Sequence, residues 1–190
     1  MDLISAPLPT IQSDNNYELA CVQELKQINA DILQAIVDSY YAGNTSHCKF
    51  VSGICVKLAG GDVLYKTQYQ AIIDLSSTEA EFIAACKARK YLLYLRTILS
   101  ELGGRPQMLA TVLYEDNQGA LLVATAQKPT KRTRHMYIKH FAIQYWVQTD
   151  LLCLQQINTS NNYADAMTIA LGKSLFYRHN DYLMGRIIPT

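Results

Sequence analysis

The spacing of apolar residues changes period several times along this chain, and each change marks an element. From Leu33 to Tyr41 the run LQAIVDSYY is dense in β-branched and aromatic residues and closes near Gly43, which predicts a strand. Residues 50–73, FVSGICVKLAGGDVLYKTQYQAII, predict two more strands around a tight turn at Gly60-Gly61-Asp62, where paired glycines supply positive φ. These strands are expected to form an antiparallel meander. The next segment, LSSTEAEFIAACKARKYLLYLRTILSELGG, switches to helical spacing. Phe82, Cys86, Leu93 and Leu99 recur on its apolar side, supported by Ala85, Leu92 and Leu95. Ser76 is its expected N-cap, with Glu79 three residues on as in a capping box, and Gly103-Gly104 is its stop.

Downstream, MLATVLYED predicts a strand ending at Asp116. Asn117 is expected to cap a short helix over NQGALLVATAQK, and Pro129 with the basic residues after it makes a connection. HMYIKHFAIQYWVQ predicts a helix and DLLCLQQIN a strand. A last helix is expected from Asn161, with Asp165 in its first turn. Ahead of Leu33, MDLISAPLPTIQSDNNYE reads as a loose leader and ELACVQELKQINADI as a short helix. The expected organisation is a leader over 1–32 and one α/β (α+β) domain over 33–190, with a mixed sheet flanked by helices.

A chain of 190 residues suits one core, and 49% hydrophobic against 17% charged residues favours folding over disorder. Most of the 13 tyrosines read as fillers of a mixed sheet, although several flank acidic positions. The five cysteines, Cys21, Cys48, Cys55, Cys86 and Cys153, form no CxxC pair and fit neither a zinc site nor a disulfide framework. They read as small buried hydrophobes in a reducing compartment. The expected location is intracellular, in a cytoplasmic particle or the nucleus, rather than secreted. No apolar run is long enough to cross a bilayer.

The net charge of +1 selects no partner, but its distribution is uneven. Between Asp116 and Asp150 there is no Asp or Glu, while Lys128, Lys131, Arg132, Arg134 and Lys139 fall there with His135 and His140. That interval is either a solvated face or a surface that tracks phosphates. Four acids stand out against it: Asp38, Glu81, Asp116 and Asp165, each at the edge of an element and beside apolar sequence. A lone carboxylate is expensive to desolvate there. Asp38 lies on the first strand, Asp116 at the end of the fourth, and Glu81 and Asp165 in the first turns of helices. Strand ends and adjacent helix starts are where sites gather in such sheets. Carboxylates converging there suit a hard cation such as Mg²⁺ and, with it, phosphodiester hydrolysis. The plainer reading is that each acid caps a helix or ends a strand.

The segments Asp38-Ser39-Tyr40-Tyr41-Ala42-Gly43, Val51-Ser52-Gly53, Ser76 to Phe82, Tyr114-Glu115-Asp116-Asn117-Gln118, Arg132-Thr133-Arg134-His135 and Ala164-Asp165-Ala166-Met167-Thr168-Ile169 resemble, in that order, the ribonuclease H domain of copia-type LTR retrotransposon polyproteins. SSTEAEF followed by EDNQGA carries most of the specificity. The resemblance runs from about Leu33 to near the C-terminus. It implies a ribonuclease H-like fold with a five-stranded mixed sheet, and a metal-dependent endonuclease that cuts the RNA strand of an RNA–DNA hybrid. It implies two Mg²⁺ ions, replaceable by Mn²⁺, held by Asp38, Glu81, Asp116 and Asp165. Asn117 and Gln118 would then face the minor-groove edge, and Lys128, Lys131, Arg132, Arg134 and His135 the phosphates. A reverse transcriptase domain is the expected partner in the parent polyprotein, of which this chain would be an excerpt or a decayed remnant.

The chain departs from that family pattern in several places. Tyr40 stands where a second Asp is usual, Ile169 where Lys follows the threonine, and Tyr137 where Asp is frequent. Thr159, Ser160 and Asn161 occupy the region where many ribonucleases H carry a His. A domain that binds nucleic acid without turnover is therefore the alternative expectation. An integrase-like nuclease of the same superfold is a third, which SSTEAEF fits poorly.

Overall fold

The computed structural model describes residues 33–41, 49–71, 76–102, 110–126 and 136–186. The expected leader over 1–32, Gly103-Gly104 and the basic residues Lys128, Lys131, Arg132, Arg134 and His135 lie outside the described residues. The strands are β1 (Leu33–Tyr41), β2 (Phe50–Leu58), β3 (Gly61–Tyr69), β4 (Thr111–Glu115) and β5 (Leu152–Gln156). The helices are α1 (Ser77–Glu101), α2 (Gln118–Thr125), α3 (Tyr137–Gln148) and α4 (Lys173–Leu183). The strands form one five-stranded sheet in the order β3-β2-β1-β4-β5. β1, β2 and β3 make the expected antiparallel meander, while β4 pairs parallel to both β1 and β5.

Alternation along β1 divides the two faces of the sheet. Leu33, Ala35 and Val37 join the larger core with Phe82, Leu92, Ala124, Ile143 and Trp146, so α1, α2 and α3 cover that face. Burying a side chain such as Phe82 there stabilises by about 1.5–3 kcal/mol. Ile36 points the other way, into a small cluster with Ala164 and Tyr182 beneath the C-terminal segment. That segment is pinned to β2 and β3. Lys57 Nζ lies 3.0 Å from Asp62 Oδ1 and donates to the Tyr182 carbonyl at 3.2 Å. Arg96 of α1, also buried, donates to Thr111 Oγ1 of β4 at 2.8 Å.

Three local expectations need correction. The turn between β2 and β3 uses Ala59 (φ 50°) and Gly60 (φ 81°), while Gly61 already pairs with Leu58 as the first residue of β3. A two-residue turn with both φ values positive matches the twist of the hairpin, so the register moves by one. On α1 it is Leu92 that is fully buried, whereas Leu93 is 48% exposed. One residue is about 100° of helical rotation, enough to carry a side chain from core to solvent. The last helix begins at Lys173, and Asp165 sits in a 3-10 turn, Tyr163–Met167, preceded by another, Thr159–Asn161. Asn158 and Asn162 accept from Ser160 N–H and Ala164 N–H. Such short Asx bonds compete with α-helical ones and break the segment into turns.

Cys55 and Cys86 are buried free thiols and Cys153 is half-buried. Among the described residues no helix is long and apolar enough to cross a membrane.

Candidate metal centre

Parallel pairing of β1 with β4 brings the first two acids together. Ile36 stands opposite Tyr114, and the same register two residues on sets Asp38 beside Asp116, just past the end of β4. Glu81 arrives from α1. Ser76 caps that helix by accepting from Glu79 N–H at 3.3 Å. The helix starts at Ser77, so the acid of its first turn is Glu79, and Glu81 lies one turn deeper than expected. Its position is therefore not explained by the helix dipole, which falls off within the first turn. Carboxylate oxygens of Asp38, Glu81 and Asp116 all lie within 4.8 Å of one another.

Asp165 comes from the turn packed on the other face of the sheet, against β1 and β2, and is buried. Burial, then the charges of Asp38 and Asp116, push its carboxyl up to about 7. Its turn is held by Asn162, which the sequence did not single out, and by Thr168 of the same motif segment. Asn162, fully buried, donates to the Val37 carbonyl of β1 at 3.0 Å. The Thr168 hydroxyl donates to the Asp38 carboxylate. The turn also needs Gly53, which faces Asp38 across the β1–β2 pair. A Cβ on Gly53 would lie 2.8 Å from Thr168 Cγ2 and 2.9 Å from the Ala164 carbonyl oxygen.

The electrostatics are those of crowded like charges in a dry setting. Burial raises the Asp38 carboxyl, against the Thr168 hydrogen bond, and the Asp116 charge adds to the rise. Burial raises Glu81 much further, followed by the charges of Glu115, Asp38 and Asp116, and a bond from the Ser39 main chain offsets part of it. Glu115 is a fifth acid that motif reading passed over. It is 1% exposed, and its carboxyl is likewise raised by burial. One of its oxygens accepts from Asn117 N–H at 3.1 Å, while Oε2 is buried without a hydrogen-bond partner, as is Oε2 of Glu81. A signal for it did exist: it shares the period-2 face of β4 with the core residue Leu113, where a charge is out of place.

The SSTEAEF and EDNQGA segments touch each other. A Cβ on Gly119 would lie 3.0 Å from Thr78 Oγ1, so α2 starts directly against the first turn of α1. Asn117 is the N-cap of α2 as expected, accepting from Ala120 N–H at 3.0 Å, and Gln118 beside it is exposed. The oxygen-only donor set, with orphaned buried oxygens on Glu81 and Glu115, fits a hard divalent cation.

No family model matches the chain. It is 30% identical over 145 residues to the retrovirus-related Pol polyprotein from transposon TNT 1-94 of Nicotiana tabacum, covering 76% of this chain and 11% of that protein. It is 28% identical over 152 residues to the Pol polyprotein from transposon RE1 of Arabidopsis thaliana, covering 80% of this chain and 10% of the relative. Distant homology to copia-type retrotransposon Pol polyproteins thus runs over most of the chain, which spans about a tenth of the length of the curated relatives it matches. Among solved structures, LC11-RNase H1, isolated from compost, superposes with a TM-score of 0.51 at 17% identity, covering 73% of this chain and 93% of that one. A crystal structure of LC11-RNase H1 in complex with RNA/DNA hybrid gives 0.50 at 18%, covering 72% and 93%. The fold is ribonuclease H-like.

Proposed function

We propose that this chain is a metal-dependent endonuclease that hydrolyses the RNA strand of RNA–DNA hybrids, as a domain of a retrotransposon polyprotein. The observation that carries the proposal is the meeting of Asp38, Glu81 and Asp116 within 4.8 Å, from segments far apart in sequence. Asp165, whose carboxyl is raised first by burial and then by the Asp38 and Asp116 charges, would supply the fourth side. Asp38, Glu81, Asp116 and Asp165 would hold Mg²⁺, and Mn²⁺ in its place. Bound there, the cation would lower the pKa of a water and offset charge on the phosphodiester. The carboxylates hold the site open toward solvent through Asp116, which is half-buried where its partners are buried. The Thr168 hydroxyl fixes the orientation of the Asp38 carboxylate. Asn117, committed to its cap, and the exposed Gln118 stand at the rim, where a duplex would pass. Lys128, Lys131, Arg132, Arg134 and His135 are assigned to its phosphates. A reverse transcriptase domain in the same polyprotein is the proposed supplier of hybrid, and the proposed setting is intracellular, in a cytoplasmic particle or the nucleus.

The test is cleavage of end-labelled hybrid in Mg²⁺ by the wild type and Asp116→Asn. Cutting that falls at least a hundredfold in the variant is the expected result, and equal cutting by both removes the assignment.

One observation favours a second reading, binding without turnover. The described histidines, His140 and His179, are 1% and 0% exposed, and His179 is tied to the Ser160 carbonyl at 3.3 Å. Neither is placed to deliver a proton to a leaving group. Hybrid that is retained in a gel shift yet left intact in Mg²⁺ and in Mn²⁺ would select this reading.

A further inference from the structure

Gln70 lies just past β3, is 1% exposed and is used by no step above. Its side-chain nitrogen is 2.8 Å from Ser52 Oγ, 2.8 Å from the Ala80 carbonyl oxygen and 3.1 Å from Ser39 Oγ. Its own N–H donates to the Phe50 carbonyl at 2.7 Å. Each of the three side-chain partners neighbours a residue of the site. Ser39 follows Asp38, Ala80 precedes Glu81, and Ser52 precedes Gly53, which pairs with Asp38 and admits the Asp165 turn. Ser39 also stands opposite Ser52 in the β1–β2 ladder, so one amide spans two strands and a helix. The main chain of Ser39 in turn favours the charged forms of the Asp38 and Glu81 carboxylates.

The side-chain oxygen of Gln70 is buried with no hydrogen-bond partner. Leaving an acceptor unsatisfied in the core costs stability, which an apolar side chain of similar size would not. The arrangement therefore reads as one that fixes geometry rather than one that maximises stability. We propose that Gln70 is a positioning residue of the carboxylate site, a clamp that sets the separation between Asp38 on β1 and Glu81 on α1. It touches neither acid and takes no part in chemistry. The proposal rests on the metal-site reading above.

The experiment titrates Mn²⁺ into the full chain and reads the free aqua ion by electron paramagnetic resonance, alongside Tm and hybrid cleavage. Gln70→Leu removes the clamp at similar volume. Leu92→Ala, in the core of α1 away from the acids, is the control for a purely structural loss. Asp116→Asn reports on the metal site itself. The expected result is that Gln70→Leu weakens Mn²⁺ about tenfold or more, as removal of groups that orient ligands does. Where hybrid is cut, kcat falls with KM for hybrid unchanged. Leu92→Ala lowers Tm and leaves the Mn²⁺ Kd where it was. Ser39→Ala and Ser52→Ala each remove one anchor, and each is expected to weaken Mn²⁺ about threefold. They keep the idea testable if Gln70→Leu does not fold.

Tight Mn²⁺ binding by Gln70→Leu and by both serine variants would overturn the clamp while leaving the site intact. So would a loss of affinity that tracks Tm equally in Gln70→Leu and Leu92→Ala. If the wild type takes up no Mn²⁺, or Asp116→Asn binds it as well as the wild type, the metal-site reading fails and the clamp falls with it.

Discussion

A buried carboxylate has few ways to exist: it is protonated, hydrogen-bonded or paired with a cation. Glu81 and Glu115 show how little this protein offers them. Each keeps one oxygen without a partner, and each is raised first of all by burial. The Glu115 charge is the largest neighbouring charge acting on Glu81. Glu115→Gln removes that repulsion and keeps an oxygen to accept from Asn117 N–H. It also turns a donor amide toward crowded acceptors. In metal-free buffer at pH 8 the variant is expected to be more stable than the wild type by on the order of 1 kcal/mol, the worth of one pKa unit. Urea unfolding with both proteins measured side by side checks this. A less stable variant would mean that Glu115 supports the fold as an anion.

Elements here are placed by close approach as much as by apolar burial. The Asp165 turn lies flat on β2 because Gly53 has no side chain, and Asn162 and Thr168 then tie it to β1. Gly53→Ala puts a methyl group 2.8–2.9 Å from atoms of Thr168 and Ala164, one of them backbone, so the turn has to lift. The expected cost is about 1–3 kcal/mol by thermal unfolding, with weaker Mn²⁺ binding because Thr168 and Asp165 leave Asp38 together. An alanine variant with the wild-type Tm would show that the turn has slack. The β2–β3 hairpin and α1 teach the same lesson in milder form. Turn signals at Gly60-Gly61 were visible along the chain, yet only pairing of Leu58 with Gly61 decides that Ala59 takes the positive φ. Helical spacing on α1 was clear, yet its phase, Leu92 inward and Leu93 outward, depends on the sheet beneath it.

For the whole molecule, the acid cluster is expected to make stability depend on pH and, on the proposed function, on metal. The carboxyls of Asp38, Glu81, Glu115 and Asp165 have raised values in the fold, so the folded state binds more protons than the unfolded chain above their ordinary values of 3.8 and 4.5. Their protonation stabilises the fold fully below about pH 4 and is lost as pH rises through the folded values, about 7 for Asp165 and higher for the glutamates. Metal-free protein should therefore show a Tm that falls between pH 5 and 8. Saturating Mg²⁺ should raise Tm more at pH 8 than at pH 5, since it binds the ionised carboxylates. A metal-free Tm that rises over that range would contradict the burial of these groups. The element order and the caps at Ser76 and Asn117 were determined by the sequence alone, which also flagged four acids by their apolar surroundings. Each depends on local periodicity, or on hydrogen bonds a few residues long. Only the tertiary structure decided that Asp38, Glu81 and Asp116 face one another, that Glu115 crowds them, that Thr168 bonds Asp38, and that Gln70 bonds the neighbours of Asp38 and Glu81. Those contacts join residues from separate strands, helices and turns, and no local pattern encodes a neighbour that only the folded sheet supplies.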